Sequence, residues 1–296
     1  IPDNGLEVIW NHLTRFRGIY NQEQTRNAIV YANGTFATTT AQTQYLYNFS
    51  VPGRTQADMD NVLLYYKVKN IAPAQTAGKS TLVHETLDQV IRTRSAWNYN
   101  PGRRRVRRAP SIAYDAPVVP ADGLRTIDDT DLFSGSPDRF NWTLAGKRDL
   151  YIPYNNEKLA SRHGSLEDAI EAGHLNPKLT RYELHRVWVV QGTLRRGLRH
   201  LYSKRTLYVD EDSWSIATSE QYDNQGKLWR VSMAYLRNAY GIPAILSSAD
   251  VFHDLQSKRY FVHKSLLGAS VRPSYSTQVP SKNAFTPNAL RQRQSR

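Results

Sequence analysis

Between residues 181 and 231, β-branched and aromatic residues fill three apolar runs, and each run stops at a different kind of turn signal. The turns fall at Arg195-Arg196-Gly197, at Asp210-Glu211-Asp212-Ser213 and at Asp223-Asn224-Gln225-Gly226. This pattern predicts four consecutive strands, and connections so short make neighbouring strands antiparallel. Leu201, Leu207 and Val209 share one face while Tyr202, Thr206 and Tyr208 share the other, which is the period of two of a strand. Val187-Trp188-Val189-Val190 is apolar on both faces. It predicts a strand covered on both sides, so helices or a second sheet must lie over it.

The pattern continues in both directions. Asp3-Asn4 followed by Leu6, Ile9, Trp10 and Leu13 predicts a capped amphipathic helix. Residues 28–47 read as a hairpin turning at Asn33-Gly34, and residues 62–68 and 80–90 as strands on either side of a turn at 73–78. Residues 95–110 read as a hairpin with Pro101-Gly102 at its tip, and its return strand carries arginine on both faces, as suits a sheet edge. The Pro, Gly and Asp content of 111–136 predicts a long ordered loop, anchored by Ile112, Tyr114, Leu124, Leu132 and Phe133. A strand at 147–154 and a short helix at 165–173, capped by Ser165 and stopped at Gly173, precede the meander. Strands at 232–240, 251–255 and 260–263 follow it. From Leu267 the chain turns polar and is interrupted by Pro273, Pro280 and Pro287. The expectation is one mainly β domain over 1–266 and an extended peripheral tail over 267–296.

Composition narrows the classes. No stretch approaches the eighteen or so apolar residues of a spanning helix. The absence of cysteine removes disulfides, thiolate catalysis and cysteine metal sites. The chain opens at Ile1 without Met or an apolar leader, which suggests a processed product. A net charge of +13 brings nucleic acid and anionic membranes into view. Yet the basic block of Arg103, Arg104, Arg105, Arg107 and Arg108 is followed by Asp115, Asp122, Asp128, Asp129 and Asp131. Neutralisation within the fold accounts for this layout first and membrane headgroups second; nucleic acid is set aside.

Motifs for nucleophilic, nucleotide-binding and metalloprotease chemistry are absent. Glu183 and His185 share a strand face, so they form a candidate acid–base pair; an orienting ion pair with Arg181 or Arg186 is the simpler account. Asp210-Glu211-Asp212 offers oxygen ligands for a cation, but three acids at a tight turn are ordinary turn chemistry. No metal or cofactor is expected. The positive signal is aromatic: six Trp and 18 Tyr recur along the strands. Core packing explains each singly, whereas the set suits a curved sheet around an apolar cavity. The residues expected to line it are Trp97, Tyr99, Trp142, Trp188, Tyr202, Tyr208 and Trp229, with Trp10, Leu13, Leu166 and Ile170 contributed by the two helices.

The blocks NGLEVIWNHLTRFRG, LVHETLDQV, WNYNPGRRRVRRAPSIAYDAP, DGLRTIDDTDLFSGSPDRFNW, YIPYNN, RYELHRVWVVQGTLRRGLRHLYSKRTLYVDEDSW, YDNQGKLWRV and FTPNALRQ occur in one order along the chain. In them the sequence resembles a proteobacterial family of unknown function, domain-of-unknown-function family 1329, whose members are often labelled outer-membrane lipoprotein-sorting proteins. That family is distantly similar to the LolA/LolB-like superfamily. The resemblance implies a strongly curved antiparallel half-barrel with a few short helices over its concave face. It also implies a secretory signal peptide and a further segment ahead of the block that starts at Ile1. It further implies a non-catalytic periplasmic protein that binds or ferries lipids or other hydrophobic molecules between inner and outer membranes, beside an envelope export or uptake system. The alternative from the residues is a hydrolase or isomerase on a hydrophobic substrate using Glu183 and His185.

Overall fold

The computed structural model describes residues 1–109 and 114–291. Ile112, expected to anchor the long loop, and the basic end at 292–296 lie outside the described residues. Helix α1 (Gly5–Thr14) is followed by β1 (Tyr20–Val30), β2 (Phe36–Tyr47), β3 (Val62–Ala72), β4 (Ser80–Thr86), β5 (Ser95–Asn100) and β6 (Arg105–Arg108). After the long loop come β7 (Phe140–Pro153), α2 (Leu166–Ala169), β8 (Tyr182–Leu194), β9 (Lys204–Asp210), β10 (Ile216–Tyr222), β11 (Leu228–Ala239), β12 (Ala244–Asp254), β13 (Arg259–Ser265) and β14 (Ser274–Ser276). All fourteen strands belong to one open antiparallel sheet in the order β6-β5-β4-β3-β2-β1-β13-β12-β11-β10-β9-β8-β7, with β14 paired to β1.

The meander β8 to β11 forms with its later two turns where the sequence places them, but β9 starts only at Lys204, so Leu201 and Tyr202, read as strand, lie in a connection that runs over 195–203. β11 runs through residues that the pattern divided between two strands, because no breaker separates Val231 from Ser232. β4 ends four residues early. There the Asp88 carboxylate accepts from the Val90 and Ile91 amides at 2.9 and 3.1 Å, and this side-chain turn takes the backbone away from the ladder. Val90 and Ile91 are left 85% and 79% exposed.

The chain packs as two compact units. The first comprises the described residues of Ile1–Arg15, Arg26–Thr38 and Ala113–Ala269, and the second those of Phe16–Thr25, Thr39–Ile112 and Ser270–Arg296. In the first unit Val187, Val189, Val190, Leu207 and Val209 are buried, as the doubly apolar run predicts. Register gives the two faces. Trp188 lies opposite Val209 and Val190 opposite Leu207, and this face continues through Trp142, which is opposite Gly192. It is covered by α1 and the long loop. A Cβ on Gly5 would stand 2.9 Å from the Thr143 backbone, and Phe133 packs edge-on to Trp142 at 5.0 Å. The opposite face, where Ala28, Val251, Tyr260 and Val262 sit, is covered by Leu159, Leu166, Ala169 and Leu175.

The two helices therefore pack on opposite faces, a correction to the expectation that both close the concave side. An amphipathic stripe shows that a helix docks but not on which face. The buried stripe of α1 is also rotated from the expected one: Gly5, Val8, Ile9, His12 and Leu13 are buried, Leu6 is exposed and Trp10 is half-buried. His12 goes inward because its ring has partners there, Phe133 O at 3.2 Å and the Ile216 amide at 3.2 Å. α2 is shorter than expected. Ser165 and Asp168 close its capping box, and the backbone turns extended at Ile170.

The second unit is built on β2 to β6, the first half of β1, and the C-terminal segment. That segment is not the peripheral tail expected. β14 pairs with β1, Phe285 and Leu290 are 2% and 5% exposed, and the Phe285 carbonyl meets His84 Nε2 at 2.8 Å. Phe285 and Leu290 pack in one apolar cluster with Leu46 and Leu82 of the sheet. Two aromatics and a leucine scattered among polar residues gave no periodic signal.

Candidate functional site

On the face of the second unit that the C-terminal segment covers, pairing builds three rows. Leu46, Tyr65 and His84 make the first, Gln44, Lys67, Leu82 and Trp97 the second, and Gln42, Lys69, Ser80 and Tyr99 the third. Phe285 packs on the first row, with Tyr65 at 5.7 Å between ring centres. Polarity thus rises along one covered face. Beside the polar rows lies a cavity of about 810 Å³, walled by the sheet on one side and by Val271, Arg272, Ser274, Ala289, Leu290 and Arg291 on the other. Gln22, Glu23 and Gln24 of β1 and Pro101 and Arg104 of the β5–β6 turn complete it.

The lining is mixed. Tyr99, Pro101, Val271 and Leu290 are its apolar part, and among its charged residues are Lys67, Lys69, Arg104, Arg272 and Arg291 with one carboxylate residue, Glu23. Lys67 is half-buried, donates to the Ala284 carbonyl at 3.3 Å and lies 5.7 Å from the centre of the Phe285 ring. Burial, and then the charge of Lys69, hold its pKa below the usual lysine value. The aromatic pattern suggested an apolar hollow; this cavity has a mixed lining.

Of the residues expected to line a cavity, Tyr99 stands in this wall. Trp97 is its neighbour in the apolar cluster, with its ring 4.7 Å from His84. The others belong to the packing of the first unit. Trp142 lies on Gly192 and donates to Pro137 O at 2.8 Å; Trp188 stacks on Trp214 under the Lys147 ammonium, 4.1 Å from its ring centre. Leu13 and Leu166 are buried, and Trp10 and Ile170 pack partly buried against the same clusters. Tyr208 donates to Glu220 at 3.3 Å, and Trp229 to Asp254 at 3.0 Å.

Tyr202 joins a buried charge network. Its hydroxyl donates to Asp129 at 2.8 Å and accepts from Arg230 at 2.8 Å. Beside it the wholly buried Arg205 pairs with Asp128 at 2.7 Å, and Asp128 also meets His200 at 3.0 Å and accepts from the Thr126 hydroxyl at 2.6 Å. Burial pushes the Asp128 carboxyl up, but Arg205 and the hydrogen bonds from His200 and Thr126 outweigh it and hold the pKa at about 2. The network fastens the long loop to the meander.

Glu183 and His185 do meet, at 3.6 Å, but each is otherwise engaged. Glu183 is held by Arg181 at 2.7 Å and by Asn155, and its pKa is lowered chiefly by the Asn155 hydrogen bond. His185 Nδ1 faces Asp210 at 3.0 Å, and Tyr154 stacks on the ring at 4.1 Å. The Glu183–Arg181 contact is the ion pair of the simpler account, and both imidazole nitrogens of His185 face carboxylates. Donor atoms of His185, Asp210 and Asp212 come within 4.8 Å of one another, the spacing a cation would need. Asp210, however, already accepts from the Ser213 amide and hydroxyl, which is turn chemistry.

The sheet order and short helices define the class. A domain named for outer membrane lipoprotein sorting from Vibrio parahaemolyticus superposes with a TM-score of 0.64, at 15% identity, over 97% of this chain and 98% of that one. A LolA superfamily protein from Nitrosomonas europaea does so at 0.57, with 13% identity, over 97% and 100%. The fold is thus LolA-like. The sequence matches the family model described as protein of unknown function DUF1329 over residues 1–291, and the chain belongs to that family. A DUF1329 protein from Desulfovibrio piger superposes at 0.63, with 14% identity and 97% coverage of both chains. The uncharacterised protein PA3922 of Pseudomonas aeruginosa is 44% identical over 294 residues, 99% of this chain; the chain spans 64% of that protein's length.

Proposed function

We propose that this protein is a non-catalytic carrier of lipid or similarly hydrophobic molecules, acting in the periplasm between the inner and outer membranes. The observation that carries this reading is the cavity of about 810 Å³ inside the second unit, within the range of pockets that enclose a small ligand. The LolA-like fold supports it, and so does the engagement of Glu183 and His185 in ion pairs rather than at that cavity. Tyr99, Pro101 and Leu290 would contact the ligand, with Trp97 behind them. Incubation with a radiolabelled envelope lipid extract followed by gel filtration tests the reading. Label should elute with the protein, and elution of all label apart from the protein would refute it.

In this scheme the edge hairpin β5–β6, with Arg103, Arg104, Arg105, Arg107 and Arg108, meets anionic headgroups at the donor or acceptor membrane, where an export or uptake system would load or receive the ligand. Sedimentation with phosphatidylglycerol vesicles should show binding that salt abolishes. Equal binding to neutral vesicles would remove the membrane contact from the scheme.

A further inference from the structure

We infer that the molecule held in the cavity of the second unit is an amphiphile with an anionic head, and that Lys67 and Lys69 receive the head, an assignment that rests on the carrier reading above. Lys67 and Lys69 alternate on one strand and so point to the same face, about 7 Å apart, opposite Gln44 and Gln42. Among the described residues no carboxylate pairs with either ammonium group. A face that a chain segment covers is an expensive place for two like charges, since each loses hydration and repels the other. A bound anion removes both costs at once.

The surroundings favour the same charge. Arg104, Arg272 and Arg291 are exposed in the lining, so five cations stand against Glu23. Gln24, Gln42 and Gln44 add amide groups that can donate to the oxygens of a phosphate, sulfate or carboxylate: the Val271 amide, at 3.1 Å, uses only the carbonyl oxygen of Gln24, whereas the Gln22 NH2 already donates to the Tyr20 hydroxyl. A bare anion would leave Tyr99, Pro101, Val271 and Leu290 uncovered, and an uncharged amphiphile would leave the ammonium groups unmatched. An acyl chain joined to an anionic head satisfies both halves of the wall.

Calorimetry on the full chain separates the possibilities, with three probes used below their micelle-forming concentrations. These are lauroyl lysophosphatidate, monolaurin with the same chain and an uncharged head, and glycerol 3-phosphate with the head alone. Lysophosphatidate should bind at least about tenfold more tightly than monolaurin, the worth of one charge-assisted hydrogen bond, and glycerol 3-phosphate should give no measurable binding. In Lys67→Met/Lys69→Met lysophosphatidate binding should weaken by at least about tenfold and the preference over monolaurin should shrink accordingly. If that variant does not fold, salt keeps the test alive: it should weaken lysophosphatidate binding and leave monolaurin unaffected. Equal affinities for the two laurates overturn the anionic head while the carrier reading stands. Glycerol 3-phosphate binding as tightly as lysophosphatidate, or no binding of any probe, overturns both.

Discussion

Arg205 is wholly buried, yet it carries a full charge because Asp128 and Asp129 stand beside it. A buried pair that loses one partner leaves an uncompensated charge, so Asp128→Ala should cost roughly 3–5 kcal/mol of stability in urea denaturation. A loss below about 1 kcal/mol would mean that Asp129 alone satisfies the guanidinium. Since the folded pKa of Asp128 lies below the usual 3.8, its contribution is complete above about 3.8 and disappears as pH falls toward about 2. His253 and His263 act in a higher window. Burial holds both at about 4, below the usual 6.5, so the folded state keeps them neutral while the unfolded chain takes up protons. Stability from these two is full above about 6.5 and is lost as pH falls toward about 4. The melting temperature should drop across that range, and His263→Phe should flatten the drop; an unchanged slope would assign the loss elsewhere.

Helix α1 shows what an element can conceal. Its N-cap was legible, since Asn4 does accept from the Glu7 amide at 3.0 Å, but its inward face was not, because His12 and Gly5 count as polar or neutral in any apolar pattern. Gly5 is required by the close approach to β7. Gly5→Val should cost about 1–3 kcal/mol through overpacking, whereas Leu6→Ala, on the exposed side, should cost less than about 0.5 kcal/mol. Reversal of these two costs would place the helix the other way round. The meander was readable because its turns carry Gly, Asp and Asn and its strands alternate. The C-terminal segment was not, because Phe285 and Leu290 are fixed by long-range packing rather than by a local repeat. Phe285→Ala should therefore destabilise the protein by about 3–5 kcal/mol in urea, against almost nothing for a loose tail.

At the scale of the molecule, the sequence made the mainly β architecture plain and pointed to the family, but of the residues it offered for a cavity only Tyr99, with Trp97 beside it, meets the hollow of the second unit. Trp142, Trp188 and Tyr202 pack within the first unit, while the second unit's hollow is lined by Gln42, Gln44, Lys67 and Lys69 together with Tyr99. In a single sequence such alternating polar residues read as a solvent face. Only the long-range arrival of Ala289–Leu290 opposite them turns that face into a wall. The clue within reach was the change along β2 and β3, where Leu46 and Tyr65 share a face with Gln44 and Lys67.

Native mass spectrometry of the protein taken directly from envelope extracts bears most directly on the carrier account. The expected spectrum shows the chain with one retained amphiphile of lipid mass, and loss of that adduct in Ser80→Trp, which would fill the cavity at a position opposite Lys69 and Tyr99. A bare chain in both proteins, or an adduct that survives Ser80→Trp unchanged, would contradict it.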